Sequence, residues 1–449
     1  MSSSIDQPLP GEKPEKHAED SINISDTSHD DPNDRKLMRK IDWMIIPWLC
    51  LLYLLAFLDR TNIGNAKIAG FTEAVNISTK QYNTCLTIFF VSYAVFEPLT
   101  NVLLKRYRPS RFIPTIVLLW GLTMTFTGFA IFFSAAAASG SFGGLLAAAI
   151  QKMDGIGGRP GWAWIFILEG IVTVAAALAS YWMVLDFPQD AKRLTEEERA
   201  RIVRRLKEDP LNNTEQHAFK SAYVWSAVKD WKTYLSMAIY MGCDVPLYAF
   251  SLFLPSIIKS LGWNTSIVKA QLLSAAPYLA AAVVTVALGI VGDKTGRRGL
   301  INIIPSSVGV IGFCLLIGSQ DPAVKYAGTF LAALGIYPCV SNSISWVANN
   351  TAGVYKRGIV LGMAIGWGNL SGVISSNIYF NGPKYIEGHA IVLAFLAVFL
   401  CGGSALMLVL LTVENKKRAQ GLRNGILEGK TEEEIEELGD KNPTFVYML

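Results

Sequence analysis

Charge is scarce in this chain. Only 17% of its 449 residues are Asp, Glu, Lys or Arg, where a soluble protein carries about a quarter. Histidine is scarcer still. None of the four lies in the middle of an apolar run, so no metal site is expected. The six cysteines (Cys50, Cys85, Cys243, Cys314, Cys339 and Cys401) are scattered through apolar runs without a CxxC pair, which reads as packing rather than ligation. There is no nucleotide-binding glycine loop and no nucleophile–base constellation, so no catalytic residue, no cofactor and no enzyme activity are expected. No cleavable signal peptide is expected either. Residues 1–35 are polar, rich in Ser, Asp, Glu and Pro, and read as a disordered tail. The net charge of +4 says little by itself, and no nucleic-acid partner is expected.

What the chain has instead is long uncharged stretches of a length that crosses a bilayer. Only helices or closed barrels satisfy backbone polar groups in lipid, and these runs are too long for barrel strands. The fold class is therefore an all-α polytopic membrane protein. The spans fall near 42–65, 82–104, 112–150, 162–186, 232–258, 270–291, 300–319, 325–348, 358–380 and 389–413. This divides the chain into a tail (1–35), an N-terminal helical half (36–187), a linker with an amphipathic helix (188–230), a C-terminal six-helix half (231–414) and a second tail (415–449). Thr195-Glu196-Glu197-Glu198 predicts a capping box that opens the linker helix.

Basic residues recur on every other loop: Lys105, Arg106, Arg108 and Arg111; then the central linker; then Lys294, Arg297 and Arg298; then Lys356 and Arg357; then Lys416, Lys417 and Arg418. These loops and both termini are expected on the cytoplasmic side. Each half has a short basic turn between its second and third spans, the mark of parallel repeats about an axis along the membrane normal.

The second of those turns reads Gly289-Ile290-Val291-Gly292-Asp293-Lys294-Thr295-Gly296-Arg297-Arg298. It resembles the G-x-x-x-D-[RK]-x-G-[RK]-[RK] loop of the major facilitator superfamily. Leu58-Asp59-Arg60-Thr61-Asn62-Ile63-Gly64-Asn65 is similar to the first-helix signature of that superfamily's anion:cation symporter branch. Phe96-Glu97-Pro98-Leu99-Thr100-Asn101 resembles the branch's second helix, with its proline one place early. The closing segment from Leu438 to Leu449 resembles the fungal allantoate permease family, and 335–378 looks most like its nicotinate-permease-like members. The resemblance covers about residues 35–449. It implies a fold of two pseudo-symmetric helical halves and a conformational-switch loop formed by Gly289, Gly292, Asp293, Gly296, Arg297 and Arg298.

The resemblance also exposes a gap. Six helices are expected per half, and the first half has too few. No charge lies between Arg111 and Lys152; about 40 apolar residues make roughly 60 Å of helix, twice a bilayer. Phe112–Phe129 looks like the third helix and Ala130–Ile150 like the fifth, so the fourth is expected to be missing, leaving about 11 spans rather than 12. A deletion, such as a wrongly predicted intron, accounts for this better than a stable eleven-helix design. The family's R-x-x-x-G-x-x-E pattern on the fourth helix has no match here.

Asp59 and Arg60 are the most informative pair. They lie roughly 25 Å of helix beyond Asp42, where they either face a cavity at membrane depth or end the helix in the interface. In the cavity reading Arg60 clamps a carboxylate through paired hydrogen bonds. Asp59 is then the proton carrier, released to take up a proton as substrate engages Arg60. Asn62, Glu97, Asn101, Asp244, Asn342, Trp367 and Asn369 complete the candidate substrate-binding and coupling set. An interhelical role stays open for Glu97 and Asp244, and is favoured for Asn342, Trp346, Trp367 and Asn369. Glu169 is read as structural, because the arginine usual in similar sequences is Ala163 here. Gly362, Gly366, Gly368 and Gly372 read as close-packing positions. The expected function is proton-coupled uptake of a small organic anion, nicotinate- or allantoate-like, by a monomer in the plasma membrane. An efflux carrier for an acidic metabolite and a transport-defective or sensor-like relative are the alternatives.

Overall fold

The computed structural model describes residues 32–59, 62–68, 70–129, 153, 155–184, 194–208, 221–261, 263, 267–379, 385–431, 434–435 and 438–449. Among these the chain is helical, without strands. The first half contains α1 (Pro32–Asp59), α2 (Asn62–Ile68), α3 (Phe71–Ala74), α4 (Thr79–Arg106), α5 (Pro109–Phe129) and α6 (Gly161–Met183). Two shorter helices follow, α7 (Glu196–Glu208) and α8 (Ser221–Val228). The second half contains α9 (Trp231–Lys259), α10 (Ile267–Thr295), α11 (Arg298–Gly318), α12 (Pro322–Asn349), α13 (Val354–Asn369), α14 (Ser371–Asn377), α15 (Ile386–Ala394) and α16 (Gly403–Ala419). Eight helical segments among the described residues are long and apolar enough to cross a membrane. The apolar run expected over 112–150 is helical as far as it is described, to Phe129; residues 130–150 lie outside the described part, as does the segment 1–31.

Helix starts follow local chemistry. Asp230 caps α9 by accepting from the Lys232 N–H at 3.1 Å. Asp321 caps α12 by accepting from the Ala323 N–H at 2.8 Å, with Pro322 in the first turn where its missing N–H costs nothing. The capping box at α7 forms as its sequence predicts. The Thr195 N–H donates to Glu198 Oε2 at 3.0 Å, and the Glu198 N–H to Thr195 Oγ1 at 3.2 Å.

In the first half, α1, α5 and α6 pack around Leu52, Leu55, Leu58 and Ala176. Trp48 donates its indole N–H to Ser180 Oγ at 2.9 Å across that seam. In the second half, α11 and α12 approach backbone to backbone: a Cβ on Gly312 would sit 2.5 Å from the Ala332 nitrogen. Such small-residue seams replace the hydrophobic drive that lipid cannot supply. Between α15 and α16, residues Phe395–Gly402 form a π-helical segment that buries Leu396 and Leu400. A Cβ on Gly242 of α9 would lie 2.5 Å from the Leu400 nitrogen, so α9 rests directly on that segment.

The halves meet through α4 with α13 and α14, and through α2 with α9. The Phe90 ring lies 4.7 Å from that of Tyr248 and covers Gly372. Asn377 Nδ2 donates to Thr87 Oγ1 at 2.9 Å. A Cβ on Gly64 would come within 2.9 Å of the Leu252 carbonyl oxygen. Followed along each helix, these contacts sit toward the ends remote from the basic turns.

Candidate functional site

Asp59 ends α1 and is fully buried. Its Oδ2 accepts from the Trp120 indole N–H at 2.8 Å and from the Thr173 hydroxyl at 3.2 Å. The carboxylate therefore points into the first half, between α5 and α6, and not across to the second half. Arg60 lies outside the described residues. Asn62, also fully buried, opens α2 and donates its amide to Glu169 Oε2. Glu169 belongs to α6, one turn before Thr173, and is 1% exposed. Sequence reasoning left Glu169 out of the site because no cation neighbours it in the chain. Its partner is an amide 107 residues earlier. Depth on its helix was the only signal available.

Glu97 and Asn101 fall on the α4 backbone, and their side chains lie outside the described part. Asp244 is buried on α9 against Gly368, where a Cβ would sit 2.6 Å from its Oδ2. The buried Asn369 accepts from the Tyr248 hydroxyl at 2.6 Å. The structure thus gathers Asp244, Tyr248 and Asn369 where α9 meets α13. Gly368 and Gly372 are close-packing positions, as expected. Trp367 is 44% exposed, and no ring contact includes it among the described residues.

Asn342 and the glycine-rich turn form one unit. The Asn342 amide donates to the Arg298 carbonyl and to Asn302 Oδ1, both at 2.8 Å, and its own Oδ1 accepts from Arg298 Nη1 at 3.2 Å. Arg298 is buried and also pairs with Asp293. Gly296 has φ +64°, a left-handed conformation that glycine takes without strain. At Gly292 a Cβ would lie 2.8 Å from Arg298 Nη1, so the missing side chain is what lets the guanidinium fold over the turn. Gly289 meets open space, and Arg297 lies just before α11. Asn342, named in the candidate set but favoured for an interhelical role, ties α12 to this turn.

A buried ionic cluster stands at the start of α9. Lys356 reaches Asp230 at 2.7 Å and Asp440 at 2.8 Å, while Lys232 reaches Asp440 at 2.5 Å. Burial alone would raise the Asp440 carboxyl, but the ammonium groups of Lys232 and Lys356 outweigh it and hold the group below the usual carboxylate range. The segment that carries Asp440 is bound throughout. Arg418 donates to the carbonyls of Asn442 at 2.9 Å and Phe445 at 2.7 Å. The Trp346 indole donates to the Met448 carbonyl at 2.9 Å. Expected only as part of a tail, 438–449 is a strap across α9, α12, α13 and α16.

The sequence profile of the Major Facilitator Superfamily matches residues 49–153 and 155–376. The chain belongs to that superfamily. Known transporters match almost end to end. An MFS-type transporter of Penicillium expansum is 32% identical, over 92% of this chain and 90% of its own length. An uncharacterized transporter of Schizosaccharomyces pombe is 31% identical, over 98% of this chain and 95% of its own. The high-affinity nicotinic acid transporter of Saccharomyces cerevisiae is 30% identical, over 96% of this chain and 87% of its own. Among solved structures, a bacterial homolog of the human lysosomal transporter Spinster has a TM-score of 0.53 at 15% identity, covering 84% of this chain and 96% of that one. The superfamily's fold is shared, and the chain is a membrane-spanning transporter.

Proposed function

We propose that this superfamily member is a proton-coupled importer of a small organic anion, a nicotinate-like aromatic carboxylate, and that it works by alternating access. The observation that carries this reading is a fully buried carboxylate, Asp59, at the last described residue of α1, with Arg60 next to it in the sequence. An ionisable pair at that depth is expensive unless it serves a pathway. Arg60 clamps the substrate carboxylate and Asp59 carries the proton. Asp244 and Asn369 face the substrate from the second half, and the exposed Trp367 indole offers a stacking face for an aromatic ring. Glu97 and Asn101 belong to the same pathway on α4. Asn342 acts with the Gly289–Arg298 turn as part of the conformational switch.

The contacts between the halves, grouped away from the basic turns, suit a carrier closed to the outside. The name of the yeast relative supports the substrate class, and the closing-segment resemblance supports the allantoate permease branch. The positive loops support cytoplasmic termini, and the plasma membrane is the location that uptake requires. The carrier acts as a monomer, with the proton gradient as its only drive and no nucleic-acid partner. The alignment to the yeast relative runs over 474 residues, longer than the 449 of this chain, so that relative carries residues with no counterpart here. A first half short of its fourth helix would account for such residues.

The test is uptake of labelled nicotinate in cells lacking their own carrier. Uptake is expected to rise as the medium is acidified and to collapse with a protonophore. Arg60→Ala is expected to raise KM about tenfold through loss of the charge-assisted pair. Uptake indifferent to both pH and Arg60 would overturn the reading.

A further inference from the structure

Asp59, Asn62 and Glu169 form a buried cluster with too many acceptors and too few donors. Thr173 of α6 donates to Asp59 of α1, and Asn62 of α2 donates back to Glu169 of α6. With the Trp120 indole, that exhausts the donors the described residues direct at the cluster. Three oxygens stay buried without a partner: Asp59 Oδ1, Asn62 Oδ1 and Glu169 Oε1. A helix-packing role would explain one bonded oxygen per side chain but not three vacant ones. Each vacant acceptor has given up its water without a bond in return. Two neighbouring buried carboxylates with no bonded cation among the described residues cost more.

The surrounding groups do not close this deficit. From α4, Tyr82 spends its hydroxyl on the Ile63 carbonyl at 3.2 Å. On α2, the Lys67 ammonium lies 4.5 Å over the Tyr82 ring and 5.6 Å over that of Phe253. On α3, Glu73 accepts from Thr72 at 2.9 Å. From α9 the chain presents Leu252, and from α5 Trp120.

We infer that Glu169 is a second proton-binding residue, and that Asp59 and Glu169 together hold one exchangeable proton in a site completed by the Asn62 amide oxygen. The proton enters from water on one side and leaves to water on the other, and no bond between heavy atoms changes. One proton supplies the missing donor and halves the buried charge. This inference rests on the proposed coupling for its role in transport, but not for the existence of the site.

Two measurements test it separately. Infrared spectroscopy of the purified protein in lipid nanodiscs reads protonated carboxyls without any substrate. The wild type is expected to show a buried protonated-carboxyl band near neutral pH that disappears in Glu169→Gln and shifts in Asp59→Asn. No such band in the wild type, or a band untouched by Glu169→Gln, overturns the inference. Glu169→Gln should fold, because Gln keeps an oxygen for the Asn62 amide and adds the donor the cluster lacks. In uptake assays this variant is expected to flatten the pH profile and to lower uphill accumulation about tenfold, the equivalent of one unit of proton affinity. A pH profile parallel to that of the wild type would overturn the role of Glu169 and leave Asp59 coupling intact. Wild-type uptake indifferent to pH would defeat the proposed coupling, while the infrared band would still decide the site.

Discussion

Asp440→Ala is expected to cost the folded protein about 3–5 kcal/mol, because it leaves two buried ammonium groups facing one carboxylate. Asp230, Lys232, Lys356 and Asp440 balance as two negative and two positive charges, all with side chains under 10% exposed. Removing one acid upsets that balance where water cannot repair it. The readout is thermal unfolding of the detergent-purified protein, with a large fall in midpoint for Asp440→Ala. Adding Lys232→Met to that variant is expected to recover a good part of the loss, since the orphaned cation goes with it. An Asp440→Ala protein as stable as the wild type would mean the strap is only a surface ornament. The pH dependence has a definite sign. The Asp440 carboxyl is held below its ordinary range in the folded protein, so its contribution is complete above that range. It is lost as pH falls through the folded value. The strap should therefore loosen in acid.

Asp59→Asn is expected to lower uphill substrate accumulation about a hundredfold, the low end of what a positioned proton-transfer group contributes. The substitution is nearly isosteric. Its carbonyl still accepts from Trp120 and Thr173, the two donors Asp59 engages, and its amide offers a donor where Asp59 has an empty oxygen. Folding should survive, so the loss reads as chemistry. The measurement is the accumulation ratio of labelled substrate with acid outside, alongside size-exclusion of the same protein. Wild-type accumulation in Asp59→Asn would remove Asp59 from coupling altogether. Asp59→Ala is a poorer probe, since it strands the Trp120 and Thr173 donors and mixes a folding defect into the result.

The helical plan was legible because lipid allows few alternatives. Uncharged runs of bilayer length must be helices, and the capping box at Thr195 marked where one begins. Asp59 stood out because its chemistry conflicts with its surroundings. What stayed hidden depended on distance along the chain. The partner of Asp440 on α9 lies 208 residues away, and nothing local distinguishes a carboxylate that will neutralise two lysines from one in a solvated tail. Glu169 was discounted for want of a neighbouring cation, whereas the structure gives it an amide from another helix. The sequence favoured a helix-facing Asn342 without naming its partner. Only the position of Arg298 beside it decides the matter, since that guanidinium needs an acceptor once the turn buries it.

The π-helical segment Phe395–Gly402 bears on how this chain tolerates changes of length. A π turn accommodates one more residue than the α turn it replaces. Loss of a single residue there would let the segment relax to an ordinary helix. His389 before it and Met407 after it would still point where they do now. The same loss in the middle of α12 has no such slack. Everything beyond it would swing by about 100°, the turn per residue of an α-helix, and Gly335 would leave its place against Gly309. The last span is thus where a one-residue deletion is absorbed rather than passed along the helix.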